Sequence, residues 1–255
     1  MNHFFEALNS DIEDWHGFKC YRFLLANVKC IVVTPKCPNP QRLWVWRARF
    51  FGHEPQFDVA LLEQGFHLVY CDVSELFGSP IAVQRWNTFY DFATSELGLA
   101  KKMILEGMSR GGLAVFNWAV ANPDQVSAIY ADAPVCDIKS WPGGKGTGKG
   151  APREWQSCLE AYDFSNEDDA LNYRNNPLDM AEALGKTNIP IMIVYGKDDD
   201  VVPPSENCLP FSKKFLHAGG TLEMIGKENC NHHPHSLKDP QPIVDFILKH
   251  QLSSL

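Results

Sequence analysis

Ser109 stands in the pentapeptide Gly107-Met108-Ser109-Arg110-Gly111, with a glycine two residues to either side of a hydroxyl. That spacing suits a serine held at a sharp strand-to-helix turn, where the backbone is strained and flanking side chains would collide with the packed strand and helix. The hydroxyl then stands clear of the sheet at a helix N-terminus. There the free N–H of Arg110 and the helix dipole face any oxygen that turns negative during attack. The implied chemistry is nucleophilic, although the pentapeptide alone equally describes a Gly-rich turn whose serine caps a helix. A base and an acid have to come from elsewhere. Gly196-Lys197-Asp198-Asp199-Asp200-Val201-Val202-Pro203 supplies carboxylates, and GKENCNHHPHS supplies His232, His233 and His235, so the chain order is serine, acid, histidine.

Each of these stretches follows an apolar run. Met103-Ile104-Leu105 precedes the turn, and a helix is expected from Arg110 to Ala121. Ile189 to Tyr195 precedes the acid, and Thr221 to Ile225 precedes the histidines. Upstream, Phe18 to Leu25 and Val28 to Thr34 form a hairpin around Ala26-Asn27. Leu43 to Phe50 is a strand, Pro55 to Gln64 a helix ended by Gly65, Phe66 to Cys71 a buried strand, and Ile81 to Leu97 a long helix. Val126 to Ala131 is the next strand, and helices over Ser205 to His217 and Pro240 to His250 complete the alternation. Strands separated by helices imply an α/β fold with a doubly wound, mostly parallel sheet, whose working groups gather outside the strands' carboxyl ends. The rhythm breaks over 134–186, which is too long for a simple crossover and is expected to form a lid insertion in one single domain.

Elbow, G-x-x-D-x-x-V-P and a terminal histidine loop together resemble the α/β-hydrolase family, in its esterase and prolyl-oligopeptidase-like branch, over roughly Val28 to His250. The resemblance implies a Ser-His-Asp triad. Its acid position falls on Asp199, leaving Asp198 and Asp200 as solvated loop carboxylates. Some lipases place the acid after the strand that precedes the insertion, where Asp132 or Asp137 would serve. The family's Gly-His aligns with Asn231-His232 and favours His232 as base. A second oxyanion donor is implied in the loop after LWVW, where the family often carries His-Gly and this chain has Arg47-Ala48-Arg49. Ala48 is the expected donor beside Arg110, with Arg47 or Arg49 adding charge, and the Arg110 side chain is placed to pair with Asp72 or to hold a substrate carboxylate. The Gly-x-Ser-Arg-Gly elbow is also similar to that of carbohydrate esterases acting on uronic-acid esters, whose pattern has cysteine at the position of Met108. The implied function is hydrolysis of carboxylic esters of carbohydrate or other polar, acidic substrates, with no cofactor. A small serine peptidase and a noncatalytic binding protein of the same fold are the alternatives. Prolyl-oligopeptidase-like peptidases usually add a large second domain, which a sequence of 255 residues is expected not to carry.

Two other stretches carry residues that could form a site. Gly143 to Lys149 satisfies G-x-x-x-x-G-K, but a phosphate loop needs a preceding strand and a following Ser or Thr, whereas Trp141-Pro142 precedes and Gly150 follows. The segment is expected instead to be a mobile basic lid, with Lys145 near the substrate and Trp141 and Trp155 as sugar-stacking platforms or as lid core. A metal ion shared by His232, His233 and His235 is disfavoured because two of them are adjacent and no carboxylate is spaced as a ligand.

A net charge of -8 argues against a nucleic-acid partner and leaves small-molecule or carbohydrate partners. No apolar run is long enough to span a membrane, and the acidic N-terminus lacks the order of a leader peptide, so the chain is expected in the cytoplasm, or exported with its leader absent from this sequence. The eight cysteines contain no C-x-x-C pair. Cys20 and Cys30 lie in one hairpin and are candidates for a disulfide.

Overall fold

Apolar alternation along the strands dictates a sheet with two buried faces, and the computed structural model, which describes residues 10–252, has this form. Residues 1–9, part of the acidic N-terminus considered above, lie outside the described residues. The strands are β1 (Asp11–Trp15), β2 (Phe18–Leu25), β3 (Val28–Thr34), β4 (Trp44–Arg47), β5 (His67–Cys71), β6 (Met103–Met108), β7 (Val126–Asp132), β8 (Ile191–Gly196) and β9 (Leu222–Lys227). They form a nine-stranded sheet in the order β1-β2-β3-β5-β4-β6-β7-β8-β9. The pairs from β1 through β3 to β5 are antiparallel, and those from β5 onward are parallel. β1 has no counterpart in the sequence reading, because DIEDW is an almost wholly exposed edge strand without an apolar face.

Helices cover both faces: α1 (Gln56–Glu63), α2 (Pro80–Ser95), α3 (Gly111–Ala121), α4 (Pro152–Ala161), α5 (Glu167–Asn172), α6 (Pro177–Gly185), α7 (Cys208–His217) and α8 (Gln241–Leu252). One face packs Trp44, Trp46, Leu105 and Ile193 under residues of α2, α3, α6 and α7. The other packs Val45, Ile104, Tyr130 and Val194 under residues of α1 and α8. Alternate residues of each strand thus serve opposite cores, the period-two geometry of a pleated strand. The same geometry rules out the Cys20–Cys30 disulfide: Cys20 belongs to the second core and Cys30 to the first, and all eight cysteines are free. Cys30 lies instead opposite Cys71 of β5.

β4 is anchored by aromatic packing. The Trp46 ring stacks on Trp86 at 4.2 Å and lies 5.5 Å from both Trp44 and Trp118. The strand ends at Arg47 rather than at Phe50, because the chain then turns through Phe50 at φ +54° and Gly52 at φ +84°. β4 therefore delivers its loop to the carboxyl edge of the sheet, beside the end of β6.

The long segment after β7 divides in two. α6 packs against α3 and α7, as an ordinary crossover helix does, so the excursion from the sheet is shorter than 134–186. The earlier part, with α4 and α5, has its own apolar cluster, in which Trp141, Trp155, Cys158 and Ala170 meet Phe77 and Leu113. The glycine run inside it is pinned. Glu206 accepts hydrogen bonds from Ser140 Oγ, the Thr147 amide and the Thr147 hydroxyl, and a Cβ on Gly146 would lie 2.4 Å from the same carboxylate. These glycines permit close approach, which corrects the expectation of a mobile lid.

Candidate active site

The turn from β6 to α3 carries Ser109 at φ +52°, a left-handed conformation that costs energy for any residue with a side chain. Its backbone is fixed on both sides: the amide donates to Asp132 O at 2.8 Å, and the carbonyl accepts from Gly112 and Val135 at 2.9 and 3.0 Å. The steric demand for glycine differs in part from the motif's spelling. A Cβ on Gly107 would lie 2.6 Å from Val115 Cγ2, and one on Gly112 2.6 Å from Pro134 Cβ. At Gly111 the nearest atom would be at an ordinary 3.4 Å, so the crowded positions are 107 and 112.

Three elements converge on this serine. Its Oγ lies 2.9 Å from Nε2 of His232, and Nδ1 of His232 lies 2.7 Å from Oδ2 of Asp199. The other Asp199 oxygen accepts the amides of Val201 and Val202, each at 2.9 Å, so the turn after β8 fixes the carboxylate. The acid and histidine loops are also bound to each other. The Asp198 amide donates to Cys230 O at 3.0 Å, and a Cβ on Gly196 would lie 2.2 Å from Asn231 O. Ser109, His232 and Asp199 are all buried.

Asp132 and Asp137 lie elsewhere. Asp132 Oδ1 is 2.6 Å from His235 Nδ1, and its Oδ2 accepts from the Ser236 amide at 2.8 Å and the Tyr130 hydroxyl at 3.1 Å. Asp137 pairs with Lys139 at 3.0 Å. A second aspartate–histidine dyad thus stands beside the first, with the His232 and His235 rings 4.7 Å apart. Adjacency in sequence does not separate the rings of His232 and His233, whose centroids are 5.1 Å apart.

The loop after β4 corrects two expectations. The Ala48 amide donates to Glu106 O at 2.9 Å and so is committed to the sheet. The Arg49 and Arg110 amides donate to no acceptor among the described residues, and the Arg49 nitrogen is 3.8 Å from a Cβ built on Gly111. Arg49, one residue further on, replaces Ala48 as the donor this loop can offer.

Arg47 is not at the mouth. It is 1 % exposed, paired with Asp58 and with Glu106 at 3.1 Å, and it donates to the carbonyls of Arg49 and His53. It braces the loop from beneath instead of meeting substrate. Burial pushes the Glu106 carboxyl well above the usual carboxylate range, against the pull of Arg47, and the neighbouring Asp58 adds to the rise. The folded chain therefore holds a proton that the unfolded chain releases above the ordinary glutamate value of about 4.3. Stability from this group is full below that value and is lost as pH climbs toward the raised folded value. Glu106→Gln removes the dependence. The variant is expected to gain on the parent by up to about 1.4 kcal/mol per pH unit across that window, measured by urea denaturation at a series of pH values. Parallel pH profiles would show that Glu106 is ionised in the fold.

Arg49 and Arg110 do face the mouth, and they meet at Glu75, 3.1 and 3.7 Å away respectively. Glu75, missed in the sequence, takes the place expected of Asp72. Asp72 instead accepts from the Tyr70 hydroxyl and the Ser74 amide, each at 3.0 Å, on the wall of a groove of about 870 Å³ that Arg49 also lines. The Arg110 guanidinium lies over the Phe77 and Trp141 rings at 5.6 and 5.2 Å. Burial, followed by the charge of Arg49, lowers its pKa despite Glu75. Arg49 Nε and Arg110 Nη1 are buried without a hydrogen-bond acceptor.

The expected sugar platforms are not open. Trp141 and Trp155 are 8 % and 9 % exposed and form part of the insertion's core. Trp155 donates to Glu167 at 2.9 Å, Lys145 pairs with the same carboxylate at 2.6 Å, and Lys149 pairs with Asp200. Neither lysine is a free cation at the site.

A mostly parallel sheet with a strained serine at a strand-to-helix turn, hydrogen-bonded to a histidine and through it to an aspartate, defines the α/β-hydrolase class of fold and the arrangement of a Ser-His-Asp triad. The family model described as the prolyl oligopeptidase family matches residues 89–252, and the chain belongs to that family. No curated protein sequence matches the chain. Among solved structures, a puromycin-hydrolyzing peptidase of Mycobacterium tuberculosis superposes with a TM-score of 0.65 at 15 % identity, over 93 % of this chain and 37 % of its own. The acylaminoacyl peptidase of Pyrococcus horikoshii gives 0.62 at 14 % identity, over 98 % of this chain and 42 % of its own. A monoacylglycerol lipase of Paleococcus ferrophilus gives 0.55 at 17 % identity, over 88 % of this chain and 99 % of its own. The chain thus spans less than half the length of these two peptidases. Among the described residues no helix is long and apolar enough to cross a membrane.

Proposed function

We propose that the protein hydrolyses carboxylic esters of small polar substrates that carry a carboxylate near the scissile bond. The observation that carries the catalytic part is the unbroken chain of hydrogen bonds from Ser109 Oγ through His232 to Asp199. Ser109 attacks the carbonyl, and His232 Nε2 takes its proton and later gives it to the leaving alcohol. Asp199 holds the imidazole in the required tautomer and stabilises the imidazolium. The amides of Arg110 and Arg49 receive the oxyanion, and water then releases the acyl group by the same base.

The acidic preference rests on Arg49 and Arg110. Each keeps a buried N–H without an acceptor beside the nucleophile, and their shared Glu75 is 65 % exposed, so a substrate carboxylate can displace it. The packed faces of Trp141 and Trp155 remove the support for a sugar-stacking site, which leaves charge as the basis of selection. A peptide bond is the second reading, favoured by the family match and by the two peptidases among the similar structures.

The test is a panel of matched esters and amides, with and without a carboxylate. Arg110→Gln is expected to raise KM for acidic esters by about 10–100-fold relative to neutral ones, the equivalent of a charged hydrogen bond of about 1.5–3 kcal/mol. Equal losses on both would reduce Arg110 to a brace of the elbow, and faster cleavage of the amides would favour the peptidase reading.

A further inference from the structure

Three imidazoles crowd the mouth of the site in a way that acid–base chemistry alone does not require. One ring nitrogen from each of His232, His233 and His235 lies within 4.8 Å of the other two. Two of the rings are prepared as metal-bound histidines are, with a carboxylate on Nδ1 that fixes the tautomer and orients the ring. Asp199 does this for His232 at 2.7 Å and Asp132 for His235 at 2.6 Å. Asp132 has no place in the hydrolytic mechanism, yet it is buried and saturated with donors. The third ring, His233, is exposed, with its centroid 5.1 and 4.7 Å from those of His232 and His235.

A tetrahedral zinc ion with bonds of about 2.0–2.1 Å needs ligand nitrogens about 3.3–3.4 Å apart. Three ring nitrogens that now lie within 4.8 Å of one another must draw closer by side-chain movement to hold one ion at that spacing. An all-imidazole set suits Zn²⁺, Cu²⁺ or Ni²⁺ and offers Mg²⁺ and Ca²⁺ no oxygen ligand.

We propose that Nε2 of His232, Nε2 of His235 and a ring nitrogen of His233 form a binding site for a divalent transition ion of the Zn²⁺ type, which reversibly switches the hydrolase off. The ion takes the lone pair on His232 Nε2 that otherwise accepts the Ser109 proton, so metal binding and catalysis exclude each other. Nothing is oxidised or reduced, and the Ser109 hydroxyl keeps its proton. The inhibitory part rests on the proposed role of His232 as base, whereas the binding part does not.

The experiment titrates the purified protein with Zn²⁺ in chelator-free buffer, reading hydrolysis and binding heat separately. One ion per chain, loss of activity in step with binding, recovery with EDTA and indifference to Mg²⁺ and Ca²⁺ are expected. Ser109→Ala retains all three ligands and is expected to bind Zn²⁺ still. His233→Ala is expected to weaken both binding and inhibition, relative to its own metal-free rate, by at least the 10–100-fold or so that loss of even a second-shell partner costs. Zn²⁺ binding unchanged by His233→Ala would place the ion elsewhere, for instance on the exposed Cys37, and overturn the site. Labelling of Ser109 by a fluorophosphonate in metal-free enzyme keeps the two readings apart. A labelled enzyme indifferent to Zn²⁺ overturns this inference alone, and failure to label overturns the catalytic reading and the switch with it, leaving calorimetry to judge the site.

Discussion

Ser109→Ala is expected to lower kcat by about 10⁴–10⁶-fold while leaving the fold intact, because nucleophile, base and acid act as one unit and removal of the first disables the others. The hydroxyl makes one side-chain hydrogen bond, to His232, and adds little to either core. Its loss should shift stability by no more than about 1 kcal/mol. Turnover of an activated ester, thermal unfolding and stoichiometric labelling by a fluorophosphonate measure the three consequences together. Full turnover in a folded variant would place the nucleophile elsewhere. An inactive variant that is also unfolded would not, since a Cβ already sits at position 109 and alanine adds no atom.

The serine was legible because its turn imposes a local rule: strained backbone, close packing and a strand-to-helix junction all demand small neighbours within a few residues. The acid turn was legible for a related reason, since Gly196 must let the histidine loop pass against its own backbone. The loop after β4 was legible only to within a residue. Where a strand's last sheet hydrogen bond falls depends on its partner, and the Ala48 bond to Glu106 O belongs to the pairing with β6. Arg47 could not be placed from sequence at all. A charged residue at a strand end reads as exposed, and the partners that bury it are Asp58, from the next helix, and Glu106, from a strand nearly sixty residues further on. The glycine run misled in the same manner. Its composition suggests freedom, but Glu206, nearly sixty residues away, is what holds it. The choice among three histidines was beyond spacing, because each lies within a short loop whose path decides which carboxylate its ring meets.

Asp199→Asn is expected to lower kcat by about 10⁴-fold, and Asp132→Asn to leave it nearly unchanged, although the two aspartates hold neighbouring histidines in similar ways. The difference lies in where each histidine's free nitrogen points. Asp199 Oδ1 accepts the Val201 and Val202 amides, so the oxygen of an asparagine stays with those donors and its NH₂ turns to His232. Nδ1 must then accept, and the ring proton moves to Nε2, where it faces Ser109 and cannot receive another. At position 132 the Ser236 amide and the Tyr130 hydroxyl likewise keep the oxygen, and the NH₂ turns to His235. That shifts the His235 proton to Nε2 without touching the Ser109 hydrogen bond. Hydrolysis should survive, but the lone pair offered to a metal ion is gone, so Asp132→Asn is expected to lose sensitivity to Zn²⁺ while keeping its metal-free rate. Rates of the two variants with and without Zn²⁺ decide the matter. A large metal-free loss in Asp132→Asn would make the second dyad part of the catalytic unit, and a small loss in Asp199→Asn would move the acid of the triad off the turn after β8.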